Sequence, residues 1–250
     1  MRRLARPAGG ISWGKGLLKP PYKEEINAGA PCRILFLTDL HLRRSAPEMM
    51  DAVAEAIADT RPDLILTGGD LAEYGDGLAI VYEKLASLFP GTPVFSVPGN
   101  NDDSAMDGDR SAQRELIERF GGRYLTNETA VITVRGIKIE LRGVEDAYTH
   151  TPEAAHFTEK DAYHILLSHA PHRFLMESQP DLMLCGHTHG GQWNLLGCTA
   201  YTVGYESKFD YKLLAGHKRF GKTLLVVSRG VGYSKFPLRA FSRSEVQIIY

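Results

Sequence analysis

Two histidines leave one glycine-flanked turn at Cys185-Gly186-His187-Thr188-His189-Gly190-Gly191-Gln192. The turn follows Leu182-Met183-Leu184, an apolar run that reads as a buried strand. Glycine permits the sharp bend and lets backbone crowd close to whatever the imidazoles hold. Neutral imidazole is a common ligand for divalent transition metals. A lone His-x-His is weak evidence, but this chain repeats the arrangement. Asp39-Leu40-His41, Gly69-Asp70, Gly99-Asn100 and Ser168-His169 each sit just past an apolar run as well. Each residue alone has an ordinary reading: Asp39 and Asp70 as helix caps, His169 as a satisfied core histidine. In this order, each at a strand end, they read together as metal ligands.

The runs between these points alternate between two periods. Arg33–Thr38, Leu64–Thr67 and Pro93–Val97 read as buried strands. Between them, Met49, Met50, Val53 and Ile57 follow helical spacing after Ser45-Ala46-Pro47-Glu48, which has the pattern of a capping box. Ile80–Phe89 and Arg110–Phe120 read as two further helices. This βαβαβα rhythm predicts a parallel sheet with helical crossovers. Ligands at the C-terminal edge of such a sheet occupy the usual place for a site. Beyond Gly121 the texture changes. Ala130–Val134 and Ile137–Leu141, joined by Arg135-Gly136, read as a hairpin. Residues 146–160 read as a polar loop with a helical turn. Thr223–Val227 and Val246–Tyr250 read as late antiparallel strands.

Composition bounds the class. At 250 residues and 43% hydrophobic, the chain suits one large α/β domain. We expect a basic, aromatic arm over residues 1–31, irregular in structure, and a single domain over 32–250. The net charge of −1 excludes a generally basic nucleic-acid binder, so nucleic acid is not an expected partner. The charge is nevertheless uneven: residues 1–44 carry +6, 45–119 carry −10, 120–200 carry −3 and 201–250 carry +6. Basic ends that met in space would form a cationic face. Cys32, Cys185 and Cys198 show no pairing pattern, and reduced thiols suit a cytoplasmic setting, with Cys32 and Cys185 expected in the core. No stretch has the length of a transmembrane helix or the continuous apolar core of a signal peptide.

The donor set is a mixture of carboxylate, amide and imidazole. It favours manganese, with iron or zinc as alternatives, over magnesium or calcium alone. Two such ions about 3.5–4 Å apart need several imidazoles, a bridging carboxylate and open positions for water and phosphate.

With these residues in order, Asp39-x-His41, Gly69-Asp70, Gly99-Asn100-Asn101-Asp102, His169 and Gly186-His187-x-His189, the chain resembles the calcineurin-like metallophosphoesterases. Gly190-Gly191-Gln192 and Ser228-Arg229-Gly230-Val231-Gly232 resemble the branch whose relatives often carry an N-terminal membrane anchor. The resemblance implies a four-layer αββα sandwich. It implies that Asp39, His41 and His189 bind one metal, that Asn100, His169 and His187 bind the other, and that Asp70 bridges them. A hydroxide held between the metals would then attack phosphorus in line. The chain departs from the family at Asn101, where the usual residue is a histidine that assists the leaving group. An amide cannot give up a proton at neutral pH. Phosphodiesters or pyrophosphates are therefore expected over alkyl monoesters. His172 is a candidate substitute acid and substrate contact, and Arg229 a second substrate contact.

The expected function is a dinuclear phosphodiesterase or pyrophosphatase acting on a small-molecule or lipid-linked phosphoester. A non-catalytic scaffold of the same fold and a nuclease are the alternatives. Basic and aromatic residues over 1–23, together with Lys235-Phe236-Pro237-Leu238-Arg239, suggest peripheral contact with an anionic membrane.

Overall fold

The computed structural model describes residues 10–13, 19–106, 108–153, 156–195, 199 and 213–250. Most basic residues of the N-terminal arm, and Cys198, lie outside these. The chain runs β1 (Ile11–Trp13), β2 (Tyr22–Ile26), β3 (Ile34–Leu37), α1 (Met49–Ile57), β4 (Leu64–Thr67), α2 (Gly75–Leu88), β5 (Val94–Ser96), a single turn α3 (Asp102–Ala105), α4 (Arg110–Arg119) and β6 (Gly122–Tyr124). It continues through β7 (Glu128–Val134), β8 (Ile137–Gly143), β9 (Tyr163–Leu167), β10 (Leu182–Cys185), β11 (Gly216–Phe220), β12 (Thr223–Val227), β13 (Leu238–Ala240) and β14 (Glu245–Ile249). Short 3-10 helices cover Arg173–Ser178 and His189–Gly191.

Two six-stranded sheets carry the architecture, in the orders β2-β14-β3-β4-β5-β6 and β11-β12-β10-β9-β8-β7. In the first, β3, β4, β5 and β6 run parallel, as the alternating rhythm requires. All four residues of β3 are buried because the sheet is covered on both faces. Leu35 and Leu37 face α1, α2 and α4, whereas Ile34 and Phe36 meet Leu167, Leu182 and Leu184 of the second sheet. Each such side chain contributes roughly 1.5–3 kcal/mol on burial. On its outer face the second sheet buries Met183, Cys185 and Leu225 against Leu175 of the Arg173–Ser178 turn. The layers are αββα, with a thin outermost layer among the described residues.

The hairpin forms as expected. Val134 pairs with Ile137, and the linking Arg135 and Gly136 both take positive φ, 50° and 79°, which matches the twist of the flanking strands. Cys32 and Cys185 are buried free thiols.

Four local expectations are corrected. Tyr22–Ile26, read as irregular, is the edge strand of the first sheet and lies parallel to β14. Its consecutive charged residues Lys23, Glu24 and Glu25 are exposed or half-buried, which suits an edge strand. Helix α1 starts at Met49 with no side-chain capping bond, so Ser45 does not cap it. Helix α2 starts at Gly75, five residues before the apolar spacing becomes regular. The late strands are mixed: β12 is antiparallel to β11 but parallel to β10, and β14 is antiparallel to β3 but parallel to β2.

Candidate metal centre

The C-terminal ends of β3, β4, β5, β9 and β10 converge, and the segments leaving them hold all seven expected ligand residues. Asp39, His41, Asp70, His187 and His189 take the left-handed backbone conformation, with φ between 46° and 66°. Non-glycine residues adopt this conformation at a cost, and such strain concentrates where surrounding structure over-determines a functional side chain. The segments after β3, β4 and β10 turn their backbone through this region, whereas Asn100 and His169 follow β5 and β9 without it. Glycine permits the crowding that results. A Cβ on Gly186 would lie 2.2 Å from Asp39 Oδ2, and one on Gly99 would lie 2.2 Å from Asp70 Oδ1.

The donor atoms form two groups that share Asp70. In the first, His41 Nε2 lies 3.1 Å from His189 Nε2, and His189 Nε2 lies 3.7 Å from Asp39 Oδ1. In the second, His169 Nε2 lies 3.1 Å from His187 Nδ1, and Asn100 Oδ1 lies 3.1 Å from the former and 2.9 Å from the latter. Asp70 Oδ2 is 3.6 Å from His41 Nε2 and 3.4 Å from His169 Nε2, so one carboxylate oxygen faces one imidazole of each group.

This arrangement fits cations. Asp39 Oδ2 accepts from the His187 backbone N–H and from Thr38 Oγ1, both at 2.9 Å, whereas the buried Oδ1 has no hydrogen-bond partner. Buried carboxylate oxygens normally find one. His169 Nδ1 lies 2.7 Å from the Gly68 carbonyl and must donate to it, which leaves the Nε2 lone pair facing the site. His41 Nδ1 lies 3.1 Å from Glu73 Oε1, and Glu73 is in turn paired with Arg43. Backing a ligating imidazole with a carbonyl or carboxylate is the usual way to fix its orientation.

Charge is unevenly held. Burial opposes ionisation of Asp70, yet His169 and His41 together hold its carboxyl well below the usual range. Burial raises Asp39. Burial opposes protonation of His41 and His169, but Glu73 and Asp70 outweigh it at His41 and Asp70 outweighs it at His169, so both are raised. Burial, with His169 alongside, pushes His187 down to about 3. Burial, with His41 and Arg239 alongside, also lowers His189. His187 and His189 are thus held neutral, the form that binds metal.

Asn101 does not point away to a leaving group. Its backbone N–H donates to Asp70 Oδ1 at 2.8 Å and its Nδ2 donates to Asp70 Oδ2 at 2.6 Å. His172 stands at the edge of the site with its ring 6.2 Å from that of Tyr148, which stacks on His187 at 4.5 Å. Arg229 turns inward: it is 8% exposed and its Nη1 pairs with Glu245 Oε2 at 2.6 Å.

Four contributors were not assigned to this site from sequence. Asp102 accepts backbone N–H groups of Asp70, Leu71 and Gly99, tying two ligand loops together, and burial beside Asp70 raises its carboxyl to about 6. It stands in the quoted Gly-Asn-Asn-Asp motif, which was its signal. Glu73 and Tyr148 lie in loops with no local pattern to mark them. Arg239, expected at a membrane surface, is buried at 1% exposure behind His189.

A family model for calcineurin-like phosphoesterases matches residues 32–191. Phosphodiesterase YaeI of Escherichia coli is 33% identical over 227 residues, covering 88% of this chain and 82% of that protein. A transmembrane protein with a metallophosphoesterase domain from Danio rerio is 26% identical over 235 residues, covering 86% of this chain and 52% of that protein. Among solved structures, an archaeal phosphodiesterase matches with a TM-score of 0.45 at 14% identity, over 81% of this chain and 87% of its own. The family match spans every candidate ligand from Asp39 to His189, and the chain belongs to the calcineurin-like phosphoesterase family.

Proposed function

We propose that the protein is a dinuclear metal-dependent phosphoesterase that hydrolyses phosphodiester or pyrophosphate bonds, with manganese as the first candidate metal. The observation that carries this reading is Asp70 Oδ2, placed between His41 Nε2 and His169 Nε2. Asp39, His41 and His189 would hold one ion, Asn100, His169 and His187 the other, and Asp70 both. Ions bound there supply an activated water and neutralise charge on phosphoryl oxygens. Asn101 fixes both oxygens of Asp70 and thereby the spacing of the two groups. Asn101 cannot supply the proton that the family's histidine at that position would give, which supports substrates with good leaving groups. The 33% identical relative named a phosphodiesterase points the same way. Intact ligand groups support an enzyme over a scaffold. The test is turnover of bis-p-nitrophenyl phosphate with bound metal measured in parallel. Turnover that survives removal of all metal refutes the reading.

We also propose that the protein touches an anionic membrane from the β1–β13 ribbon. The β1–β13 pairing sets Trp13 opposite Leu238, two residues beyond Phe236, and Ile11 and Phe236 are 67% and 70% exposed. No helix among the described residues is long and apolar enough to cross a membrane.

A further inference from the structure

The three loops that carry Asp39 and His41, Asp70, and Asn100 continue outward and line a second, open cleft. It measures about 590 Å³, and its lining includes Arg43, Arg44, Ser45, Glu73, Tyr74 and Ala105. Arg43 and Arg44 come from the loop after β3, Glu73 and Tyr74 from the loop after β4, and Ala105 from the end of α3. The cleft therefore adjoins the metal centre, separated from it by the His41 ring and the Glu73 carboxylate.

Its charge is positive and partly unspent. Glu73 is engaged by His41 Nδ1 and by Arg43. Arg43 also donates to the Tyr233 carbonyl at 3.0 Å, and its guanidinium lies 4.1 Å from the centre of the Tyr233 ring. Arg44 is exposed and forms no ion pair among the described residues; its one recorded partner is the Tyr74 ring, 5.0 Å from the guanidinium. A stacked guanidinium keeps its fork of N–H donors free, and that fork matches a phosphate oxygen pair. Stacking also removes much of the conformational freedom that an exposed arginine would lose on binding.

We infer that this cleft is a subsite for a second anionic group, a phosphate borne on the far end of the substrate, and that Arg44 is its recognition residue. The inference rests on the phosphoesterase reading and narrows its substrate class. The favoured substrate carries two phosphate centres, one hydrolysed at the metals and one held by Arg44. Inorganic phosphate has the same chemistry, and the test separates the two sources.

The test uses metal-loaded protein and thymidine 5′-(p-nitrophenyl phosphate), with and without a 3′-phosphate. The leaving group is the same in both, so the ratio of their kcat/KM values reads the far phosphate alone. One charge-assisted contact predicts about a 10-fold preference for the bisphosphate, expressed in KM. Arg44→Ala should bring the ratio near one, Arg44→Glu below one, and Arg44→Lys between native and alanine. Calorimetric binding of thymidine 3′,5′-bisphosphate against the 5′-monophosphate gives the same comparison without turnover. A protein that binds with this preference yet hydrolyses neither ester refutes the proposed function and not the subsite. A native ratio of one, or a ratio indifferent to position 44, overturns the subsite. Weakened inhibition by inorganic phosphate with an unchanged ratio also overturns it, because the site would then take free phosphate.

Discussion

Arg239 Nη2 lies 3.1 Å from His189 Nδ1, so a buried guanidinium stands directly behind a candidate metal ligand. His41 and His169 back onto acceptors instead, Glu73 and the Gly68 carbonyl. The same guanidinium donates to the carbonyls of Gly232, Ser242 and Arg229. Arg239→Ala would strand these three buried acceptors, at about 3 kcal/mol in all, or roughly 10 °C of Tm. Arg239→Lys keeps the charge without the fork and should fall between. Thermal denaturation of metal-free protein measures this, and an unchanged Tm would remove Arg239 from the framework of the site.

Asp70→Asn should empty both halves of the metal centre. The amide can offer only one acceptor oxygen, and its NH₂ would face donors from Asn101. Outer-shell changes at metal sites cost 10–100-fold, and loss of a shared ligand should cost at least about 100-fold in metal affinity. Elemental analysis after dialysis checks it. Asp39→Asn should lower occupancy on one side only.

Metal uptake should release protons. His41 and His169 have raised affinity for protons, so an incoming ion must displace them, and affinity falls as pH falls. Titration calorimetry in buffers of differing ionisation enthalpy counts the protons released. For the metal-free fold the sign at His187 is different. Its pKa is about 3 folded and higher unfolded, so between those values the unfolded chain binds more protons. His187 therefore contributes stability above the unfolded value, and that stability drains away as pH falls toward 3. Denaturant titrations of native protein and His187→Asn across this range should converge at acid pH.

The rate should depend steeply on the leaving group. Asn101 spends its amide on Asp70 and has no proton to give. General acid assistance is typically worth about 10²–10⁴-fold, and alkyl monoesters should lag aryl diesters by a gap of that order. The measurement is kcat/KM over a series of substituted phenyl and alkyl phosphates. A flat series, with chemistry rate-limiting, would show that another acid operates, and His172→Ala would be the next variant.

Binding to anionic vesicles should weaken with salt and with Phe236→Ser. Each basic residue near such a surface contributes ~1 kcal/mol at low ionic strength. Co-sedimentation at low and high salt reads both effects. Absence of binding at low salt refutes membrane contact.

The parallel half of the fold was legible because apolar strands and amphipathic crossovers alternate from Arg33 to Phe120, and each strand stops at a polar residue of limited choice. The seven candidate ligand positions could be picked out for the same reason: a strand end followed by Asp, Asn or His is a local pattern. Tyr22–Ile26 was hidden because an edge strand with charged Lys23, Glu24 and Glu25 shows no apolar signature. The direction of β12 was hidden because pairing with β10 spans a long separation that periodicity does not record. Arg239 was misplaced for a related reason. Its neighbours Lys235 and Phe236 are exposed, and only the tertiary fold turns the guanidinium inward.

The left-handed backbone at Asp39 and Asp70 also bears on how such a site would decay. Among ordinary residues, glycine and asparagine tolerate that conformation best, while β-branched residues are penalised twice, by the lost ligand and by the backbone. Genetic drift in a descendant that no longer needed the metals would therefore pass most easily through Asp→Asn or Asp→Gly at these two places. At position 39 asparagine could still offer an oxygen to a metal, whereas at position 70 the loss would reach both sides. A half-degraded lineage would keep the shape of its cradle, and some capacity to hold an ion, long after its chemistry had faded.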